Sequence, residues 1–340
     1  MPKSKNASSS QQSAAGADLI EYLRHAPDFP HAVLQTHLGN LYRGDCVALL
    51  AKIPSESVDL VFADPPFNLG KDYPSKMDDS RSEAEYLAWS QRWTTECARI
   101  LKPGGSFFLF NLPRWNLALG AHLRTLLTFR HWIAVEISYR LPIQGRLYPS
   151  HYSLVYMCKG SKPTTFTPDR LPMDTCRHCF GEVKDYGGYK DKMNPKGINL
   201  SDVWRDIPPV RHAKFKRRNG SNELSIKLLD RVIRMASREG DIVLDPFGGS
   251  GTTYAVAEIA GRRWVGIEIG PTDGIVNRLA SHNLELERGY ISKIRSELNH
   301  LFPPDVAAGR REAGMWVPGN IPKGRRRERS ASKQESLHFE

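Results

Sequence analysis

An Asp-Pro-Pro-Phe turn at residues 64–67 has the residue types needed to hold an amino group. The apolar run before it, VDLVFA, predicts a buried parallel strand that ends at Asp64. Two prolines remove two N–H donors, so the turn presents the Asp64 carboxylate and the Pro65 carbonyl as acceptors, with the Phe67 ring beside them. Such a site fits a planar –NH2 group on an aromatic base. Accepting both of its hydrogen bonds localises the nitrogen lone pair for attack on an electrophile.

A second candidate site is the glycine-rich sequence DPFGGSGTT at residues 245–253, between an apolar strand pattern and a helical one. Its glycines allow the main chain to approach a ligand closely, and amides at the start of the next helix suit an anion. Glu268, at the end of the next predicted strand, can accept hydrogen bonds from both ribose hydroxyls of an adenosine ligand. The sequence does not match a Walker motif, and Asp245 stands where a dinucleotide fingerprint begins with glycine.

Strand and helix patterns alternate through the middle of the chain, which predicts an open, mostly parallel α/β sheet. In such sheets, ligands bind beyond the carboxyl ends of the strands. The helix over 82–101 has an aromatic stripe that predicts core packing rather than a ligand surface. Strands are predicted at 106–110, 132–140 and 152–160, a strand followed by a turn is predicted within 58–66, 241–249 and 263–269, and a second clear helix is 223–237.

The composition is that of a globular protein with a polyanionic partner. Of 340 residues, 48 are Lys or Arg and 37 are Asp or Glu, a net charge of +11 that favours phosphate backbones. Five scattered cysteines do not form a disulfide framework, and no apolar run is long enough for a membrane span. We therefore expect a soluble protein of a reducing compartment that is not associated with a membrane.

A Pro-rich, polar stretch from about 161 to 220 interrupts the alternation and ends in RHAKFKRRNG. A basic run inside a globular domain favours contact with nucleic acid. The predicted DNA-binding residues are Arg211, Lys214, Lys216, Arg217 and Arg218. In the same stretch, Cys176 and Cys179 form only half of a zinc pattern, and no metal site is predicted.

In this order, DPPF, DPFGGSGTT and GIEI resemble the S-adenosylmethionine-dependent DNA amino-methyltransferases of the beta group. LKPGGSFFLF, LSDVWRDIP and the helix at 223–237 extend the resemblance over about residues 36–292. It implies a seven-stranded, mostly parallel, Rossmann-like sheet with one antiparallel strand, circularly permuted relative to other methyltransferase groups. The implied segments are a disordered 1–16, a catalytic half 36–160, a target-recognition insertion 161–220, a cofactor half 221–292 and a basic flexible tail 303–340.

The resemblance also implies residue roles. Asp64 and the Pro65 carbonyl would bind the target amine, with Pro66 shaping the turn and Phe67 stacking on the extruded base. GSNELS replaces the HPxxKP sequence of many members, which leaves Asn222 as the candidate for the cofactor carboxylate. The other implied S-adenosylmethionine contacts are Asp45, Cys46, Asp64, Asp245, Phe247, Gly248, Gly249, Ser250, Gly251, Thr252 and Glu268.

These roles predict site-specific methylation of adenine N6 in double-stranded DNA, with the target nucleotide flipped out of the stack. Cytosine N4 is the nearest alternative, although relatives acting there more often have serine at the position of Asp64. An RNA substrate, a non-catalytic DNA-binding relative and a nicotinamide-linked dehydrogenase are further alternatives. Beta-group relatives often dimerise, so the resemblance implies a second copy of the chain and a cognate restriction endonuclease as candidate partners beyond DNA. It also implies a protein of the prokaryotic cytoplasm, associated with the nucleoid.

Overall fold

The structure is a computed structural model that describes residues 18–70, 81–137, 144–145, 147, 149–175, 181–185, 187–208 and 223–319. Strands and helices alternate along it. The strands are β1 Leu34–Gln35, β2 Gly39–Arg43, β3 Val58–Ala63, β4 Leu101–Asn111, β5 Thr128–Glu136, β6 His151–Cys158, β7 Arg170–Leu171, β8 Ile198–Asn199, β9 Val203–Trp204, β10 Ile242–Asp245 and β11 Arg263–Glu268. The helices are α1 Leu19–His25, α2 Cys46–Leu50, α3 Glu83–Ile100, α4 Pro113–Leu123, α5 Ile226–Ala236, α6 Thr252–Ile259, α7 Asp273–Arg278, α8 Ser281–Glu297 and α9 Pro304–Glu312.

A single large sheet organises the main part of the chain, in the order β1-β2-β11-β10-β3-β4-β6-β5-β9. From β2 to β4 the neighbouring strands are parallel, and β6 runs antiparallel to both β4 and β5. The seven strands from β2 to β5 in this order confirm the predicted sheet with one antiparallel strand, β6. The short strands β1, antiparallel to β2, and β9, parallel to β5, extend it to nine strands in the described part of the chain. β10 and β11 come late in the chain but lie between β2 and β3, as the predicted circular permutation requires.

Side chains alternate across the sheet, and each face is covered by helices. Along β3, Val61 and Ala63 belong to one buried cluster, and Leu60 and Phe62 belong to the other. The first cluster contains residues of α1–α4, and the second contains residues of α5–α8. A parallel sheet buried on both faces is the arrangement that its nearly continuous apolar strands favour.

The ends of the elements differ from the sequence predictions where local hydrogen bonds decide them. The helix predicted over 82–101 is α3, which begins after a capping box in which Ser82 and Glu85 each accept a backbone N–H from the other. The sequence Lys-Pro-Gly-Gly at 102–105 is typical of a turn that ends a helix, but it lies inside β4, which begins at Leu101. Pairing of Val58 with Leu101, across a register shift, brings that stretch into the sheet.

Contacts divide the chain into two compact units. The first is Met1–Asp169 with Asn199–Ser296 and carries the large sheet. The second is Arg170–Ile198 with Glu297–Glu340, and Leu301, Phe302 and Val317 are buried in its small core. α9 lies in this second unit, in a stretch for which the sequence indicates only a basic tail. The domain boundaries predicted above stay predictions.

Candidate active site

Four acidic side chains follow neighbouring parallel strands at one edge of the sheet. Asp64 comes directly after β3, Asp245 ends β10, Glu268 ends β11, and Asp45 lies two residues after β2. Because these strands are adjacent in the order β2-β11-β10-β3, their carboxyl ends meet along one edge. This is the edge at which open α/β sheets bind ligands. The fold therefore brings together the two turns that the sequence analysis singled out.

Asp64 presents an acceptor atom that the protein leaves unused. The residue is partly exposed, but its Oδ1 is buried and has no hydrogen-bond partner among the described residues. Burial, and to a smaller extent the charge of Asp245, raise the pKa of Asp64 well above its usual range. A buried acceptor without a donor is unfavourable in the free protein. Its position fits a ligand that brings its own N–H group.

The backbone of the Asp64–Phe67 turn is fixed by donors from α3 and α4. The Tyr86 hydroxyl donates to the Pro66 carbonyl at 2.8 Å, and Trp115 Nε1 donates to the Phe67 carbonyl at 2.8 Å. No donor to the Pro65 carbonyl occurs in the described part of the chain. The turn is thus fixed at the Pro66 and Phe67 carbonyls. The Pro65 carbonyl remains available to a ligand as an acceptor in addition to Asp64.

The Phe67 ring lies in an aromatic group at the same turn. Its centroid is 5.8 Å from that of Tyr152 and 6.2 Å from that of Phe110. Phe67 is only partly buried, so part of its ring surface is available to a ligand. These contacts hold the ring in place and leave room for stacking on a planar group.

The glycine-rich turn is compact because α7 packs under it. Gly251 has a φ of 75°, and a Cβ there would lie 2.8 Å from Ile275 Cγ2. A Cβ on Gly248 would lie 3.0 Å from Ile275 Cδ1. On the other side, the Phe247 ring packs edge-on against Trp93, with centroids 4.9 Å apart. Glycine is therefore required here by close approach as well as by backbone conformation.

Asp245 holds the start of this turn with both oxygens. Its Oδ1 accepts from the Phe247 N–H at 2.9 Å, and its Oδ2 accepts from the Thr253 hydroxyl at 2.5 Å. The pKa of Asp245 is raised to about 7, mainly by burial and in smaller part by the charge of Glu268. The two hydrogen bonds act in the opposite direction. Near neutral pH, Asp245 therefore exchanges a proton while it positions the turn.

The raised pKa of Asp245 makes stability depend on pH. A folded-state pKa of about 7 against an ordinary 3.8 means that the unfolded chain loses this proton first as pH rises. Stability from this group is therefore present at low pH and is lost between about pH 4 and about pH 7, at about 1.4 kcal/mol per pH unit. Asp64, also raised, acts in the same direction.

We expect Asp245→Asn to remove part of this dependence. In urea unfolding, wild-type stability relative to the variant should fall by about 3 kcal/mol between about pH 5 and about pH 8. Asn can still accept from Phe247 and contact Thr253, so the variant tests the charge rather than the contacts. Parallel stability curves for the two proteins would contradict a raised pKa.

Glu268 and Asp45 lie at the edge, but each is engaged by backbone N–H groups. Glu268 Oε2 accepts from Gly249 at 2.7 Å, and its Oε1 accepts from Gly270 at 2.6 Å. Asp45 is exposed and caps α2 by accepting from Ala48 at 2.9 Å. Each carboxylate oxygen can accept more than one hydrogen bond, so these contacts leave capacity for ribose or adenine groups.

A buried ion pair supports the glycine-rich turn at Ser250. Arg278 Nη1 lies 3.3 Å from both the carbonyl and the hydroxyl oxygen of Ser250, which in turn lies 3.0 Å from the Thr252 hydroxyl. The Nε atom of Arg278 lies 2.9 Å from Glu287 Oε1, at an angle unsuited to a hydrogen bond, and Glu287 is fully buried. The Arg278–Glu287 ion pair therefore connects α8 to the glycine-rich turn.

We expect Glu287→Gln to destabilise the protein by about 3–5 kcal/mol, because it leaves the Arg278 charge buried without its counter-charge. The matched control is Glu285→Gln on the same helix, where the pair with Arg288 is exposed. That change should cost at most about 1 kcal/mol. Urea unfolding of both variants measures the difference, and equal losses would refute the role of burial.

The remaining predicted site residues are either buried or outside the described part of the chain. Cys46 is buried at the start of α2, and burial raises the pKa of its thiol to about 12, so it stays protonated. Asn222 and the basic residues at 211–218 lie outside the described residues, as do Cys176 and Cys179. The described residues contain no group of three or more potential metal ligands. Among them, too, no helix is long and apolar enough to cross a bilayer.

Sequence reasoning missed the residues that hold the catalytic turn. Tyr86 was assigned to an apolar stripe, yet its hydroxyl accepts from Asn111 Nδ2 at 3.0 Å and donates to Pro66. Trp115 follows Pro113 in a helix that had not been predicted. The periodicity of α3 reveals a buried face, but it does not distinguish a tyrosine that packs from one that also positions a turn.

The fold and this site have counterparts among known proteins. The sequence profile of the N6/N4 DNA methylase family matches residues 58–272, and the chain belongs to that family. Membership confirms the methyltransferase class expected from the sequence, and the methyl donor of the family is S-adenosylmethionine. The solved structure of PvuII DNA methyltransferase (cytosine-N4-specific) covers 78% of this chain and 95% of its own, with a TM-score of 0.51 and 21% identity. That similarity confirms the fold.

Two relatives are similar in sequence over most of the chain. Type II methyltransferase M.BamHI of Bacillus amyloliquefaciens is 53% identical over 282 residues, which are 83% of this chain and 66% of M.BamHI. DNA adenine methyltransferase YhdJ of Escherichia coli (strain K12) is 34% identical over 247 residues, which are 69% of this chain and 81% of YhdJ. The matched part thus spans slightly less than two thirds of M.BamHI.

Proposed function

We propose that this protein transfers a methyl group from S-adenosylmethionine to an exocyclic amino group of a flipped-out base in duplex DNA, at a specific short sequence. The unpartnered Asp64 Oδ1 beside the Pro65 carbonyl carries the proposal. These two acceptors lie at the sheet edge that also carries the glycine-rich turn. The methyl donor and the amine that receives the methyl group therefore have candidate sites at adjacent strand ends.

The residues present fit the methyl donor. Ser250, Gly251 and Thr252 lead into α6, whose N-terminal amides suit a carboxylate. Glu268 lies at the end of β11 for the ribose hydroxyls, and Asp45 lies after β2 for the adenine ring. S-adenosylmethionine would supply a methyl group that is already activated by a positively charged sulfur.

The turn residues align and activate the amine. Asp64 and the Pro65 carbonyl accept its two N–H groups, which localises the nitrogen lone pair, and Phe67 stacks on the base. As the nitrogen–carbon bond forms, the sulfur–carbon bond breaks and S-adenosylhomocysteine leaves. The surplus proton of the amine passes to Asp64, whose raised pKa suits it to accept one. Alignment and electrostatics thus supply most of the catalysis.

Adenine N6 is the amine that we propose first. In the group that the sequence resembles, members acting on cytosine N4 more often have serine where Asp64 stands. YhdJ, which is named an adenine methyltransferase, is also similar to this chain over most of its length. Cytosine N4 is the second candidate, because the family includes both kinds of amine.

Nucleoside analysis tests both parts of the proposal. The full chain is incubated with duplex DNA and methyl-labelled S-adenosylmethionine, and the DNA is then digested to nucleosides for mass spectrometry. We expect the label in N6-methyladenine. Label in N4-methylcytosine would reassign the base and leave the amine site standing, whereas unlabelled DNA would overturn the proposed activity. An excess of RNA should not compete with the duplex for the label.

Partners beyond DNA are also proposals. M.BamHI is named a type II methyltransferase, which supports a role beside a restriction endonuclease that cuts the same sequence. DNA methylated by this protein should then resist that enzyme. A homodimer is proposed as well, and light scattering of the purified full chain measures its mass directly.

A further inference from the structure

We propose that Arg114, together with Arg81, contacts a backbone phosphate of duplex DNA beside the flipped nucleotide. This inference rests on the proposed function and adds a DNA contact that lies next to the catalytic turn. Neither arginine belongs to the basic run at 211–218, which lies outside the described residues. Phosphodiester oxygens are the proposed ligand.

Arg114 lies one residue before a direct support of the catalytic turn. Its Nη2 is 3.4 Å from the carbonyl oxygen of Asn68, which follows Phe67, and the next residue, Trp115, donates to Phe67 itself. The guanidinium stacks over the Trp115 ring, 4.3 Å from its centroid. Arg114 is nevertheless exposed. A contact of 3.4 Å is weak, so the guanidinium keeps most of its donors for another acceptor.

Arg81 reaches the same turn from the start of α3. The Asn68 side chain forms two hydrogen bonds with the Arg81 main chain. Its Oδ1 accepts from the Arg81 N–H at 2.9 Å, and its Nδ2 donates to the Arg81 carbonyl at 2.8 Å. The Arg81 guanidinium stacks on Trp89, 4.8 Å from the ring centroid. Asn68 itself has a φ of 53°, which turns the chain sharply after the catalytic residues. The Arg114 side chain and the Arg81 main chain therefore both contact Asn68, the residue after Phe67.

Neither guanidinium forms an ion pair with a described residue. Of the nearby acidic side chains on α3, Glu85 is engaged with its cap at Ser82, and Glu83 is exposed. Stacking on an indole orients an arginine without neutralising its charge. An exposed, oriented cation at Arg114, with a second at the partly exposed Arg81, suits phosphates beside the catalytic turn, since a flipped nucleotide carries its backbone to the protein surface.

The test measures DNA binding and its salt dependence separately from catalysis. The probe is a fluorescent duplex fragment that the wild-type protein methylates, titrated at several salt concentrations with S-adenosylhomocysteine present. Arg114→Ala should weaken binding about tenfold and reduce the slope of log K against log salt by about 1. Arg81→Ala should act in the same direction. The dissociation constant for S-adenosylmethionine should not change in Arg114→Ala.

Matched controls come from the same helices. Arg124→Ala, at the other end of α4, and Arg92→Ala, later in α3, remove exposed arginines whose side chains form no hydrogen bond or ring contact with the described residues of the catalytic turn. These variants should keep the wild-type slope to within about 0.3, less than one phosphate contact. If Arg114→Ala binds DNA with the wild-type affinity and slope, the phosphate contact is refuted. If the wild-type protein binds no duplex at all, the proposed function fails instead.

Discussion

Replacing Asp64 with alanine should reduce methyl transfer by at least about 10³-fold while leaving the dissociation constant for S-adenosylmethionine within about twofold. The loss has two sources, since the variant has neither an acceptor for the amine nor a base for its proton. Cofactor affinity is preserved because the contacts that shape the glycine-rich turn come from Asp245, Glu268 and Arg278. Single-turnover transfer and calorimetric titration measure the two quantities on the same preparation.

Two further variants make this result specific. Asp64→Asn keeps the shape and one acceptor but cannot take up the proton, so it should lie between wild type and alanine. Asp59→Asn removes a carboxylate from the same strand, where Asp59 pairs with Lys102 at 2.8 Å, and should retain nearly full turnover. Because Asp64 Oδ1 is buried without a hydrogen-bond partner among the described residues, Asp64→Ala should also raise the melting temperature. Near-normal turnover of the alanine variant would exclude Asp64 as the amine acceptor.

Replacing Gly251 with alanine should weaken S-adenosylmethionine binding by about 10²-fold. The new methyl group would lie 2.8 Å from Ile275 Cγ2, so the turn or α7 must shift. The φ of 75° adds backbone strain of about 1 kcal/mol, because an L residue rarely adopts it. Titration of the variant with S-adenosylmethionine, alongside urea unfolding, separates loss of the site from loss of the fold.

Gly240→Ala is the matched control for this prediction. Gly240 also has a positive φ, 83°, but a Cβ there meets nothing within 4 Å. The control should show the strain alone, about 1 kcal/mol of stability, with cofactor affinity unchanged. If both alanine variants bind S-adenosylmethionine equally well, close packing under Gly251 has no part in the cofactor site.

The parts of this site that the sequence predicted are those that depend on strand ends. β3 and β10 were recognisable as apolar runs that stop at Asp64 and Asp245, and parallel strands necessarily end at a common edge. The circular permutation, by contrast, was implied by the resemblance to the beta group. The strand ends follow from local patterns and a general rule about parallel sheets, so a single sequence is enough to predict them.

Other features could not be predicted because they arise from contacts between distant segments. Hydrogen bonds from Tyr86 and Trp115 to the catalytic turn join residues 20 and 48 positions apart. The Arg278–Glu287 pair stabilises the protein because it is buried, and the spacing of the two residues in the sequence does not indicate burial. Likewise, Lys-Pro-Gly-Gly becomes part of β4 only because β3 offers it a partner strand, although the same residues usually form a turn.

The most direct test is a crystal structure of the full chain with duplex DNA and sinefungin, a stable analogue of the methyl donor. The account predicts one base outside the helix, with its exocyclic nitrogen about 3 Å from both Asp64 Oδ1 and the Pro65 oxygen. The amino group that replaces the transferred methyl should point at that nitrogen from the side of Gly248–Gly251. A flipped base whose amine faces other residues, or a donor bound away from this turn, would contradict the account.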